Sequence, residues 1–295
     1  MVLFPNAKIN LGLKILRKRP DGFHDIETVF YPVPLCDSLE YIYTDSTDFQ
    51  DDLTNFSESA VKKLVTDSGK PVYFSISGLP VAGDPSDNLL LKTLNVFEAS
   101  FGLKSGVRMH LHKAIPMGAG LGGGSADAAF LLKQLWYDHN EPCSFEELVQ
   151  LATAIGSDCP FFLHNSPMFG SGKGEVLTKM ELDLNKLQIV IIKPEISVPT
   201  KAAYESVVPD DEPSRLLTLL QAPITSWQTK VTNDFEVSVF KNYPAIAEIK
   251  KKLINMGAFY TAMSGSGSAV FALFNRNAEI DLSPFNDCFR FHKEL

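Results

Sequence analysis

A two-unit α+β fold is what this sequence predicts, and three observations carry it. Apolar and polar residues alternate strictly over residues 7–15, the period-two signature of a strand with one buried face. Apolar stripes at helical spacing fill 89–101, 125–136 and 145–155, as amphipathic helices require. The chain has 295 residues, about twice the size of a typical domain.

In chain order, the first strand sets Ala7, Ile9, Leu11, Leu13 and Ile15 on one face and Lys8, Asn10, Gly12 and Lys14 on the other. Further strands are expected at 28–33, 39–43, 72–76 and 107–112, and helices at 56–65, 89–101, 125–136 and 145–155. Strand patterns return at 187–192, 258–262 and 269–274, with a helix at 245–256. Neighbouring strands often follow one another directly, which favours α+β over a regular βαβ wind. Residues 80–87 and 209–213 are rich in turn formers and read as surface loops. The expected domain boundary falls between Gly156 and Gly174, dividing the chain into 1–163 and 164–295.

Composition narrows the function classes. With 45% hydrophobic and 21% charged residues, intrinsic disorder is excluded. Lys plus Arg is 27 against 35 Asp plus Glu, a formal charge of −8. So acidic a chain is a poor general binder of nucleic acid or of anionic membranes. Anionic ligands must therefore be held by local groups of donors. The longest apolar runs, such as 269–274 and 189–192, are far below the ~18 residues of a membrane span. The first residues show no secretory signal pattern. Cys36, Cys143, Cys159 and Cys288 are widely spaced with no Cys-x-x-Cys pair, which favours reduced thiols and a cytoplasmic protein over a disulfide frame or zinc site.

The most informative segment is Pro116-Met117-Gly118-Ala119-Gly120-Leu121-Gly122-Gly123-Gly124-Ser125-Ala126. It lies between a strand pattern and a helix pattern. Glycines this dense let the backbone turn several N–H groups toward one point. The following helix adds unsatisfied amides and the positive end of its dipole, completing a cradle for phosphate. A flexible turn, or close helix–strand packing, is the alternative. The segment lacks the Gly-Lys-Ser/Thr ending of a Walker loop. Its Gly118-x-Gly120-x-x-Gly123 stands too far along the chain for the usual dinucleotide fingerprint.

Three blocks resemble the GHMP kinases, the superfamily of galactokinase, homoserine kinase, mevalonate kinase and phosphomevalonate kinase. They are Pro5-Asn6-Ala7-Lys8-Ile9-Asn10-Leu11, the glycine-rich segment, and Met263-Ser264-Gly265-Ser266-Gly267-Ser268. Further blocks at Asp21-Gly22-Phe23-His24, Ser157-Asp158-x-Pro160, Gly172-Lys173-Gly174-Glu175 and Pro199-Thr200 resemble the branch whose substrate carries a cytidine diphosphate group. The resemblance implies an N-terminal ATP-binding α/β domain and a C-terminal ferredoxin-like α/β domain. It implies an ATP-dependent small-molecule kinase of non-mevalonate isoprenoid synthesis that phosphorylates an alcohol. The alternatives are a homoserine- or mevalonate-class kinase, or a non-catalytic nucleotide sensor. Monomer and homodimer both remain open.

The same resemblance assigns roles. Asp158 would accept or aim the proton of the attacking hydroxyl, though its position before Pro160 also suits a helix N-cap. Lys8, otherwise an ordinary strand lysine, would pair with Asp158 and neutralise the transferring group, and Asn10 would meet the same substrate region. The segment from Pro116 to Ala126 would hold ATP. Lys113 reads equally as a nucleotide contact and a solvated charge. Phe23 would stack on the cytosine, where the family usually has Tyr; His24 would bond its edge, and Tyr204 would close its other face. Thr200, Gly265, Ser266 and Gly267 complete the substrate set, although 264–268 also suits a plain tight turn. Mg²⁺ is implied by the reaction, with Ser125 the best single candidate to touch it. Arg108, His110 and His112 read as a solvated strand face, and Cys159 as packing rather than a nucleophile.

Overall fold

The computed structural model describes residues 1–44, 61–205, 207–210, 212 and 215–295. The strands are β1 (Val2–Leu3), β2 (Asn6–Lys18), β3 (His24–Cys36), β4 (Ser38–Thr44), β5 (Val61–Val65), β6 (Pro71–Gly78), β7 (Gly106–Lys113), β8 (Met168–Ser171), β9 (Val176–Lys179), β10 (Leu187–Lys193), β11 (Tyr260–Met263), β12 (Val270–Asn275) and β13 (Phe289–Glu294). The helices are α1 (Leu89–Phe101), α2 (Gly123–Asp138), α3 (Phe145–Ile155), α4 (Cys159–His164), α5 (Thr200–Glu205), α6 (Leu216–Leu220), α7 (Phe235–Asn242) and α8 (Pro244–Asn255).

The chain divides into two compact units that interleave along the sequence. The first comprises Met1–Asn6, Leu35–Met117 and Gly123–His164; the second comprises Ala7–Pro34, Gly118–Gly122 and Asn165–Leu295. The long strands β2 and β3 thus pack with the C-terminal part of the chain, which no single cut near residue 163 describes.

In the first unit a mixed sheet runs β1-β4-β7-β6-β5. Strands β6 and β7 are parallel, with Val72 opposite Val107 and Ser77 opposite His112. A parallel pair needs a crossover, and α1 supplies it. Helix α1 starts cleanly because the Asn88 side chain accepts the Leu90 N–H. Helix α3 starts on a capping box in which Ser144 and Glu147 exchange bonds. Val107, Met109 and Leu111 of β7 are buried. On the opposite face Ser75 and Ser77 bond the rings of His110 and His112 at 2.8–2.9 Å, the solvated reading made precise. Residues 61–65 form β5, paired with β6 from Val61–Ser75 to Val65–Pro71. The helix expected at 56–65 is therefore corrected over 61–65, where cross-strand pairing overrides the local stripe. Residues 56–60 lie outside the described residues, as do 211 and 213 of the expected 209–213 loop.

The second unit has two sheets, β2-β3-β8-β9 and β11-β12-β10-β13. Its core joins Leu13 and Ile15 of β2 to Val190 and Ile192 of β10, Phe274 of β12, and Ile246 and Leu253 of α8. Strand β2 departs from the one-buried-face expectation: every residue from Ala7 to Leu13 is buried. Lys8 and Asn10 are 4% and 2% exposed. Alternation identifies the strand, but the second face is covered by side chains distant in sequence.

Candidate functional site

Strand β2 of the second unit presents Lys8 and Asn10 on one face. The Lys8 ammonium donates to Asn10 Oδ1 at 2.6 Å and lies 5.3 Å from the centroid of the Phe30 ring. Asn10 Nδ2 donates to Thr28 Oγ1 at 3.0 Å. Neighbours on β2 and β3 thereby hold the Lys8 ammonium.

The glycine-rich residues 118–122 alternate in a regular way. Gly118, Gly120 and Gly122 have positive φ, while Ala119 and Leu121 between them are buried. Two backbone bonds tie this stretch within the second unit: Lys8 N donates to Leu121 O at 2.9 Å, and Ala269 N to Ala119 O at 3.2 Å. The Ser264 hydroxyl donates to Gly120 O at 2.8 Å. A Cβ at Gly120 would sit 1.9 Å from the Ser264 carbonyl oxygen, so only glycine fits. Two glycine-rich motifs, in contact through Gly120 and Ser264, are 144 positions apart. Asn233, which sequence reasoning did not single out, supports the second motif by donating to Met263 O and Gly265 O at 2.8 Å each.

Helix α2 begins at Gly123 and runs for 16 residues, so its first amides lack intrahelical partners and suit an anion. Ser125, on its first turn, hydrogen-bonds the Cys159 thiol. Cys159 is fully buried, and burial pushes its pKa up to about 12, which bears out packing over nucleophilic chemistry. Asp158 occupies the turn between α3 and α4, immediately before Cys159.

Lys113 is corrected. The solvated-charge expectation does not hold. Instead the side chain is 3% exposed in the first unit, donating to Asp37 and, at 2.9 Å, to Asp127 Oδ2. Burial pulls its pKa down, but the two carboxylates outweigh that and raise it. For Asp127, burial dominates and pushes the carboxyl up to about 7. Nothing in the local pattern of β7 marked these carboxylates as partners.

In the second unit the rings of His24 and Tyr204 stack with centroids 4.7 Å apart and planes 19° from parallel. Tyr204 also meets the edge of Phe235. Burial, with Lys18 nearby, lowers the His24 pKa, so the ring is neutral at neutral pH. Phe23 is 57% exposed, and the Lys173 ammonium lies 4.8 Å from its ring centroid, a cation–π contact flanked by Gly172 and Gly174. Thr200 Oγ1 is 3.3 Å from Ser266 Oγ, on the turn containing Gly265 and Gly267. His24 and Tyr204 are thus together, as are Thr200 and Ser266, while Phe23 is paired with a lysine the sequence reading did not use.

Among the described residues no group of three or more His, Cys, Asp or Glu is placed to hold a metal ion. No described helix is long and apolar enough to cross a membrane.

Comparison with known proteins agrees with this architecture. The GHMP kinases N terminal domain matches residues 88–166, and the GHMP kinases C terminal domain residues 211–285. A 4-diphosphocytidyl-2-C-methyl-D-erythritol kinase of Bacteroides fragilis is 42% identical over 295 residues, covering 100% of both chains. One of Parabacteroides distasonis is 40% identical over 300 residues, again covering 100% of both. A crystal structure of 4-(cytidine 5'-diphospho)-2C-methyl-D-erythritol kinase matches at TM-score 0.77 with 28% identity, over 99% of this chain and 98% of that one. The Methanococcus jannaschii mevalonate kinase matches at TM-score 0.63 and 13% identity, over 99% of this chain and 97% of that one, a likeness of fold alone.

Proposed function

The chain belongs to the GHMP kinases, within the family of 4-diphosphocytidyl-2-C-methyl-D-erythritol kinases, and from that premise we propose that it moves the ATP γ-phosphoryl group to the 2-hydroxyl of 4-diphosphocytidyl-2-C-methyl-D-erythritol. The product is the 2-phosphate, an intermediate of non-mevalonate isoprenoid synthesis. The observation carrying this reading is 42% identity across the whole of both chains to a kinase of that name. Structures named for mevalonate and homoserine kinases share only 12–15% identity, so those substrates are less well supported.

In this reading the new bond joins the substrate 2-oxygen to the γ-phosphorus. The bridging bond to the β-phosphate breaks, ADP leaves, and the hydroxyl proton passes to Asp158. Phosphoryl transfer proceeds through a loose transition state, so positioning and charge neutralisation dominate. Lys8 supplies the positive charge, and Asn10 holds its ammonium. The segment from Pro116 to Ala126 binds the ATP phosphates through amides turned by its alternating positive-φ glycines and through the start of α2. Mg²⁺ would enter with ATP, with Ser125 on the first turn of α2 the side chain to touch it and phosphate and water supplying its other ligands.

Phe23, His24 and Tyr204 take the cytidine group. A neutral His24 both donates and accepts, which matches the mixed edge of cytosine. Thr200 and Gly265-Ser266-Gly267 close on the rest of that substrate. The four cysteines form no disulfide among the described residues, and a reducing cytoplasm is the setting of this proposal.

The test is a turnover assay with the cytidine substrate and Mg·ATP, with Asp158→Asn as its control. The variant should lose at least about a thousandfold in kcat with the KM for ATP changed less than about threefold. Near-normal turnover removes Asp158 from the chemistry. ADP release on homoserine or mevalonate, but not on the cytidine substrate, overturns the assignment.

A further inference from the structure

We infer that Asp37, Lys113 and Asp127 form a positioning clamp that sets the spacing of the two ends of the glycine-rich loop. The inference rests on the nucleotide role proposed for that loop and adds residues that touch neither substrate.

All three side chains lie in the first unit and are at most 4% exposed. Lys113 closes β7 and directly precedes the loop. Its ammonium donates to Asp37 and to Asp127 Oδ2. Asp37 uses its other oxygen to accept the N–H groups of Ala114 and Ile115, at 2.6 and 2.8 Å. Its own N–H donates to Pro5 O at 2.9 Å. Asp37 therefore anchors the backbone where the loop departs.

Asp127 stands on α2, one turn after the loop has ended. One ammonium thus ties the departing chain to the returning helix. Gly123 permits the approach: a Cβ there would lie 2.9 Å from Ile115 Cγ2 and 3.2 Å from Lys113 Nζ. The second Asp127 oxygen is buried without a hydrogen-bond partner, so the contact with Lys113 is what offsets burial of that carboxylate.

A buried charge cluster of this kind resists rearrangement, because separating any member strands an uncompensated charge. Fixed loop ends mean that the amides between them need no reorganisation when phosphate arrives, and preorganisation of that kind raises affinity. The clamp acts through the backbone.

The test compares Asp127→Leu, similar in size but unable to bind the ammonium, with Asp127→Asn, whose amide oxygen still accepts from it. Asp127→Leu should raise the KM for ATP and the calorimetric Kd for ADP about tenfold, leaving the KM for the cytidine substrate within about twofold. Asp127→Asn should restore both nucleotide constants to within about threefold of wild type. Unchanged nucleotide constants in Asp127→Leu, or an equal loss for both substrates, overturn the clamp. Should Asp127→Leu not fold, Asp37→Asn takes its place. It keeps an oxygen for the Ala114 and Ile115 amides but turns an NH₂ toward Lys113, and the same selective rise is expected; unchanged constants overturn the proposal. ADP affinity needs no turnover, so an inactive wild-type protein would sink the functional reading while the ADP result still decided the clamp.

Discussion

Lys8 and Lys113 are almost equally buried, at 4% and 3% exposure, yet they sit in different chemical surroundings. Lys113 lies between two carboxylates. Lys8 donates to a side-chain amide and lies over an aromatic face. Two carboxylates tie the Lys113 ammonium into the surrounding scaffold, whereas the amide and the ring fix where the Lys8 ammonium sits. Burial alone therefore does not reveal what a lysine is for. The chemistry of its neighbours does, and it separates a lysine of the scaffold from one suited to an anionic reaction centre.

Methionine substitutions probe this contrast most directly. Lys8→Met should lower kcat by at least about a thousandfold and cost less in unfolding free energy than the change at Lys113, as at sites that trade stability for activity. Lys113→Met leaves two buried carboxylates facing each other and should cost about 3–5 kcal/mol, read by urea unfolding. Equal unfolding losses in the two variants would erase the distinction.

Gly120→Ala tests the ground on which Lys8 stands, since Leu121 accepts the Lys8 N–H. The new methyl meets the Ser264 carbonyl and the backbone is held at φ +74, so a loss of about 1–3 kcal/mol is expected, with weaker ADP binding in calorimetry. A variant of wild-type stability would show that this contact yields easily.

A pH dependence is also expected on the Lys113 side. The Asp127 carboxyl is raised from 3.8 to about 7, chiefly by burial. The folded state holds that proton more tightly than the unfolded state does. Its stabilising contribution is complete below pH 3.8 and declines as pH rises toward about 7. Asp127→Asn should remove this component, so its stability relative to wild type should improve between those limits and level off above. Parallel curves of unfolding free energy against pH would contradict the assignment.

How far sequence reading reached depended on how local each signal was. Helices 89–101 and 145–155 match α1 and α3 because Asn88 and the Ser144–Glu147 box start them from residues adjacent in sequence. The strand at 61–65 was misread as helix because its partner, β6, is recognised only once the sheet forms. The short elements α4, β8 and β9, of 6, 4 and 4 residues, are too brief for periodicity to register. At the site, the glycine-rich loop and the Lys8–Asn10 pair were legible as chemistry. Asp37 and Asn233 were not, and neither were the roles of Asp127 and Lys173 beside their motifs, because the partner of each lies elsewhere along the chain.

Residue order alone specifies the mixed α+β class, the phosphate-suited glycine run before a helix, and the motif set shared with GHMP kinases. These are properties of residues close together along the backbone, where conformational preference and spacing act directly. The folded arrangement adds that both faces of β2 are covered, that Ser264 meets Gly120, and that Lys113 is enclosed by Asp37 and Asp127. Burial and charge pairing depend on which distant segments the fold brings alongside, and one-dimensional spacing carries no record of that.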